Sequence, residues 1–219
     1  MAAGWKTAVP VLAAQLMEGG NLGAAVECAL DDDGDLRGMR FVNQTLCGFE
    51  EKAIDISGCV FERCTFSDLD FKRLSFVDCV FEKCEWSNVR LSGLTCQRVV
   101  FRSCRMTGME LMRAALMNTI FEACMMDYAS FSETKLDRTA FSGCRLHESL
   151  WADVKFAKAK FEGADLTRAQ WIRTPLMGMD MSSCKIGGWN ISLFDLRGTK
   201  VTAAQVVELS GLLGVEITE

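Results

Sequence analysis

The chain has 219 residues, 49% of them apolar, which is enough to bury the core of one large domain or two small ones. Its net charge of −5 excludes a basic nucleic-acid binder held by phosphate contacts, and two prolines against 18 glycines exclude a proline-rich linker. Unbroken apolar stretches are only a few residues long, so no membrane span is expected.

In chain order, residues 1–35 read as an irregular N-terminal cap. The start, MAAGWKTAVPVLAAQL, lacks a charged n-region followed by an apolar core and a cleavage site. With 11 cysteines and no export signal, reduced thiols and a cytoplasmic location are expected. Residues 36–55 read as the poorly formed first coil of a repeating rod, because Glu51 stands where an apolar residue is needed and Phe49 is too large for its site.

From 56 to 201 the chain repeats every five residues. The 30 positions ending in 1 or 6 hold 11 Phe, 8 Leu, 3 Trp, 3 Met, 3 Ile, one Val and Cys96. Positions ending in 4 or 9 are mostly small, and the other three are mostly polar, charged or Gly. A period of five suits neither a helix nor a flat strand. It suits a chain that bends every five residues and keeps one large and one small side chain inside. Four segments then close a coil, and the expected period of 20 is visible: CVFERCTFSDLDFKRLSFVD (59–78) is followed by CVFEKCEWSNVRLSGLTCQR (79–98) and, down to 179–198, by five more. One consequence is a column of Phe61, Phe81, Phe101, Phe121, Phe141 and Phe161. The register carries no insertion, while Trp189 and Phe194 are oversized for the last coils.

After 201 the period changes. Thr202 and Gln205 fit a capping box; Val206, Leu209, Leu212 and Leu213 have helical spacing; Gly214 fits a helix stop. This element, 202–219 with an extended tail at 215–218, is expected to cover the open end of the rod, and its apolar residues to join a second copy end to end.

Segment 164–168, Ala-Asp-Leu-Thr-Arg, resembles the Ala-Asp/Asn-Leu/Phe-X-X consensus of the pentapeptide-repeat proteins. That resemblance implies an all-β, right-handed quadrilateral β-helix over 36–201. The cysteine-rich register and the tail LRGTKVTAAQVVELSGLLGVEITE further resemble the loop-free chromosomal Qnr-type quinolone-resistance proteins. By resemblance, the partner is DNA gyrase or topoisomerase IV, protected from quinolones by a rod that mimics DNA without itself binding nucleic acid, and the C-terminus makes a homodimer. The alternative is a structural or adaptor rod with an unrelated protein partner.

Candidate site residues lie on the surface. Glu62, Glu82, Glu122 and Glu162 share one column, interrupted by Arg102 and Ser142, and are either a solvated stripe or a partner contact. Beside them, Val60, Val80, Val100 and Ile120 occupy an outward position; they either favour an extended side or form a partner-binding strip. Charge cuts against whole-rod DNA mimicry: residues 55–200 carry 18 acidic and 20 basic side chains, a net of +2, and the acidity sits at the two ends. Eight cysteines occupy the small inward site and read as apolar filler, with no histidine or carboxylate beside them to complete a metal site. One histidine, His147, with no nucleophile beside it, points to a protein that is not an enzyme and needs no cofactor.

Overall fold

The computed structural model of the chain describes residues 5–31, 35–50, 53–71 and 73–214; Glu51 and the tail at 215–218 lie outside the described residues. The described chain is an all-β parallel solenoid with a right-handed quadrilateral coil and a short C-terminal helix. Within the coils, strands pair 20 residues apart, as in Phe61↔Phe81, Phe101↔Phe121 and Leu111↔Phe131.

The four sides are defined by their central residues. Side I carries Phe41, Phe61, Phe81, Phe101, Phe121, Phe141 and Phe161; side II carries Leu46, Phe66, Trp86 and Met106. Side III carries Phe71, Leu91, Leu111, Phe131, Trp151 and Trp171; side IV carries Leu36, Ile56, Phe76, Cys96, Leu116 and Leu136. All of these centres are buried. Along side I the rings stack at 4.8–5.5 Å between centroids. That is close to the ~4.8 Å separation of hydrogen-bonded strands, so the backbone ladder and the ring stack reinforce each other.

Corners come in two kinds. Sides IV and I form one continuous sheet that bends without breaking, so that strands such as Thr95–Arg102 cross the corner. Between sides II and III the later coils make tight turns closed by bonds such as Val89 N–H to Trp86 O and Met109 N–H to Met106 O. Within the solenoid, every non-glycine residue with positive φ has a number ending in 3 or 8, two places after a central residue. A bend in the left-handed region at that point is what turns the chain through each corner.

The buried cysteines do more than fill. Each of the eight thiols at the small inward site lies against a carbonyl of the coil before, 23 residues back, as Cys84 does with Phe61 O at 3.3 Å and Cys144 with Phe121 O at 3.3 Å. Thr134, Thr139 and Thr174 donate to equivalent carbonyls. A small side chain with one weak donor therefore suits the site better than a purely apolar one. Burial pushes the thiols of Cys59, Cys79 and Cys96 up, so they stay protonated and inert.

Several local expectations need correction. The segment read as an irregular N-terminal cap contains a helix, α1 (Leu22–Asp31), whose first turn is capped by Asn21 through Ala24 N–H at 2.8 Å. Coil 36–55 is better formed than expected: Leu36, Phe41 and Leu46 are buried and its strands pair with the next coil. Phe49 stacks on Phe71 at 5.9 Å instead of disrupting the coil. The strand pairing slips locally where Asp137 pairs with Lys158 and recovers at Thr139↔Ala159, while the five-residue repeat itself takes no insertion there. Trp189 fits inside, donating to Leu166 O at 2.9 Å, whereas Phe194 is turned out to solvent.

Both ends are closed. At the N-terminal end, Leu22, Val26 and Ala29 of α1 pack on the first coils, and Gly19 lies on the Phe41 ring. At the other end is α2 (Ala203–Leu209), followed by a 3-10 turn, Ser210–Leu213, and the left-handed Gly214. The capping box is formed: Thr202 Oγ1 accepts from Gln205 N–H, and Thr202 N–H donates to Gln205 Oε1 at 2.8 Å. Gln205 also donates through Nε2 to Met181 O at 2.8 Å and Cys184 O at 2.7 Å.

Candidate functional site

The glutamate column runs along side I, immediately after the central phenylalanines. Each carboxylate has a basic partner. Glu62 pairs with Arg40 at 2.9 Å, Glu82 with Lys83 at 3.7 Å, Glu122 with Arg102 at 3.0 Å and Glu162 with Lys160 at 2.9 Å. Glu62 is the most covered of the four and accepts from Arg40, whose guanidinium pKa is pushed up by those hydrogen bonds, whereas Glu82, Glu122 and Glu162 remain about half exposed. Arg102, an interruption of the column in sequence, is in space the partner of Glu122. The column is thus a ladder of ion pairs with little net field.

The valine strip is not the open surface its sequence position suggested. Val60, Val80 and Ile120 are half-buried, but Val100 is 2% exposed, covered within the chain itself. The reason lies at the start of the chain. Ala8 N–H donates to Asn118 Oδ1 at 3.2 Å and Val11 N–H to Asp78 Oδ1 at 2.8 Å. Trp5 sits beside Phe156–Lys160 and Pro175–Asp180, with Lys160 Nζ 5.9 Å from its ring centre. The N-terminal segment therefore runs down the corner between sides IV and I as a strap, and between its two anchors it crosses the coil that carries Val100.

Those anchors are themselves fixed. Arg98 donates to both oxygens of Asp78, each at 2.6 Å, and this bond holds the Asp78 carboxyl below its usual range. Arg138 Nε donates to Asn118 Oδ1 at 3.0 Å. On side IV, next to the strap, a groove of about 620 Å³ is lined by Val77, Thr95, Ala115, Met117, Lys135 and Phe156 among others.

At the C-terminal end the four residues expected at a dimer contact separate. Leu209 is 8% exposed and plugs its own last coil, so it is withdrawn from the interface; Leu212 packs partly against the same core. Val206 and Leu213 are 55% and 62% exposed, and Val207, which helical spacing did not select, is exposed beside them.

Among the described residues no group of three His, Cys, Asp or Glu side chains is placed to hold a metal ion, and no helix is long and apolar enough to cross a membrane.

The pentapeptide-repeat region family matches residues 54–116 and 94–171, more than half of the chain. The chain belongs to the pentapeptide-repeat family. Its solenoid is a fold that typically carries no catalysis. No curated protein matches it. Among solved structures it is similar to a trypsin-treated variant of QnrB1, a plasmid-mediated fluoroquinolone resistance protein. That match has 19% identity over 84% of this chain and 98% of the other, with a TM-score of 0.46. It is also similar to HetL, a pentapeptide-repeat protein involved in heterocyst differentiation regulation from the cyanobacterium Nostoc sp. strain PCC 7120. There the identity is 14% over 76% and 86% of the two chains, with a TM-score of 0.29.

Proposed function

We propose that this chain is a non-catalytic, cytoplasmic, protein-binding rod whose partner is DNA gyrase or topoisomerase IV, and that binding protects the enzyme from quinolones. The sequence support is the cysteine-rich register and the tail that resemble the Qnr-type proteins. The observation that carries the reading is the exposed carboxylates of Glu82, Glu122 and Glu162, spaced along one side of a straight ladder. Because each has a basic neighbour, DNA mimicry here is a matter of short-range contact and not of a long-range acidic field. Glu82→Lys, Glu122→Lys and Glu162→Lys combined should abolish binding to immobilised gyrase while leaving the β circular dichroism signal unchanged. Unchanged binding by that triple variant would remove the column from the contact.

A second reading, an adaptor rod for an unrelated protein, is favoured by the same pairing, since a neutral ladder gives no preference for a DNA-binding surface. A rod that binds neither gyrase nor topoisomerase IV over a wide concentration range would decide for it.

We further propose that two copies join at their C-terminal ends through Val206, Val207 and Leu213, a self-complementary contact about a two-fold axis. Analytical ultracentrifugation at micromolar concentration should give twice the chain mass, and Leu213→Asp should give folded monomers. A wild-type monomer under those conditions would remove the dimer.

A further inference from the structure

We propose that the corner between sides IV and I is a binding track for an extended polypeptide segment with one aromatic anchor, occupied in this structure by the chain's own residues 5–14. The track has three parts. Asp78 and Asn118 are acceptors for backbone amides, each held in place by an arginine of the next coil, Arg98 and Arg138. Val100 lies between them as an apolar floor. At the far end Phe156, Ala157, Pro175 and Met177 form a recess for an aromatic ring, with Lys160 over it.

The geometry matches an extended backbone. Asp78 and Asn118 are two coils apart, about 10 Å along the rod at ~4.8 Å per coil. The three residues from Ala8 to Val11 span about 10 Å at ~3.3 Å each, so only a nearly fully extended chain reaches both acceptors. Both anchors take backbone N–H groups and no side-chain group of the strap, so the track reads an extended main chain plus one aromatic residue three places before the first bonded amide.

The present occupant holds on weakly. Among the described residues, the strap makes no backbone–backbone hydrogen bond to the rod before Met17 N–H reaches Gly38 O. Val9, Val11 and Leu12 project into solvent, and the Thr7 hydroxyl is buried with no partner. A segment of a partner protein with the same aromatic anchor and paired amides, but without a buried orphan hydroxyl, fits the track better than the strap does. The strap then acts as a built-in competitor. This assignment stands on the strap contacts alone and does not depend on which partner the rod serves.

The test uses a rod lacking residues 1–14, which keeps the Met17–Met39 pairing and α1, and a fluorescein-labelled peptide of residues 5–14. Fluorescence anisotropy should show saturable binding to the truncated rod. Binding to the full-length chain should be at least about tenfold weaker, because the tethered strap competes at high effective concentration. The V11P peptide, which lacks the amide that Asp78 accepts, should also bind about tenfold more weakly. Three results would overturn the proposal: no binding to a truncated rod that keeps its circular dichroism and urea midpoint, equal binding to both rods, or equal binding of the V11P peptide. Dimers of the full-length chain that vanish on truncation would show that the segment comes from a second copy, and would overturn its assignment as a competitor in the same chain. Should the truncated rod not fold, hydrogen exchange on the full-length chain decides. The amides of Ala8 and Val11 should exchange more slowly than those of Ala13 and Ala14, and equal rates would remove the track.

Discussion

At the N-terminal end of the rod the aromatic column stops at Phe41; its strand edge is paired by the short strand Met17–Glu18, and Leu22, Val26 and Ala29 of α1 cover the coil, with Gly19 against the ring. At the C-terminal end the column stops at Phe161, the coils from 179 onward are mostly turns, and the edge is closed by one amide. Gln205 binds the carbonyls of Met181 and Cys184, with Leu209 beside it. Both ends must satisfy or hide the unpaired groups of a terminal coil. Where the terminal coil still forms strands, one more short strand continues the ladder, Met17 N–H to Gly38 O at 3.0 Å and Gly19 N–H to Arg40 O at 2.8 Å, and the apolar face of α1 covers the rest. Where the ladder has broken into turns, its carbonyls point individually and need a specific donor.

This contrast predicts different responses to substitution at the two ends. The largest effect is expected from Leu22→Ala, which truncates a fully buried side chain in the first turn of α1. It should cost about 2–5 kcal/mol in urea unfolding, and Leu22→Met, which keeps the volume, should cost much less. Gln205→Leu keeps size and adds hydrophobicity, yet it should cost about 2–3 kcal/mol, since it strands two buried carbonyls and one half of the capping box. A neutral result for Gln205→Leu would mean that the C-terminal lid is apolar too, and the contrast would fail. Gly19→Ala comes next. An added Cβ would press into the ring of Phe41, a buried aromatic with nowhere to move, at a cost of about 1–3 kcal/mol.

The smallest effect concerns pH. Neither lid depends on an ionised carboxylate, but the middle of the rod does, at Asp78. Its pKa is lowered in the folded state by the hydrogen bonds from Arg98. The stability it contributes is therefore present above the ordinary carboxylate pKa of about 3.9 and is lost as pH falls through the lowered folded value. For this partly exposed pair the loss should be under about 1 kcal/mol. Asp78→Asn should flatten that part of the pH profile. Protection of the Val11 amide should fall over the same pH range, while amides under α1 and α2 stay protected.

Much of the rod is legible from residue types alone. The large residue every fifth place defines the inside, so the column from Phe61 to Phe161 could be drawn from the sequence, and Thr202, Gln205 and Gly214 announce the last helix and its end. Some corners are legible too, since Asn43, Asp68, Asp78, Asn88, Gly93, Gly108 and Asn118, two places after a centre, are residue types that tolerate positive φ; others are not, because Arg63, Lys83, Arg113 and Tyr128 hold the same conformation without any such signal. Helix α1 carried its own signal in Asn21 followed by Leu22, Val26 and Ala29 at helical spacing. The candidate site was harder. Its glutamates could be placed in a column, but their pairing with Arg40, Arg102 and Lys160 is settled only by side-chain reach. The strap left no trace, because the rod binds its backbone amides, which every residue but proline supplies. Gln205 marked a cap in the sequence, yet its second task depends on carbonyls 21 and 24 residues earlier that no local pattern reveals.

Engagement of a type II topoisomerase by this ladder of paired charges is tested most directly by DNA supercoiling. Purified gyrase inhibited with ciprofloxacin is titrated with the full-length chain. Supercoiling should recover at low rod concentration, and the triple substitution at Glu82, Glu122 and Glu162 should lose the effect. An inhibited gyrase that stays inhibited at every rod concentration would contradict that engagement.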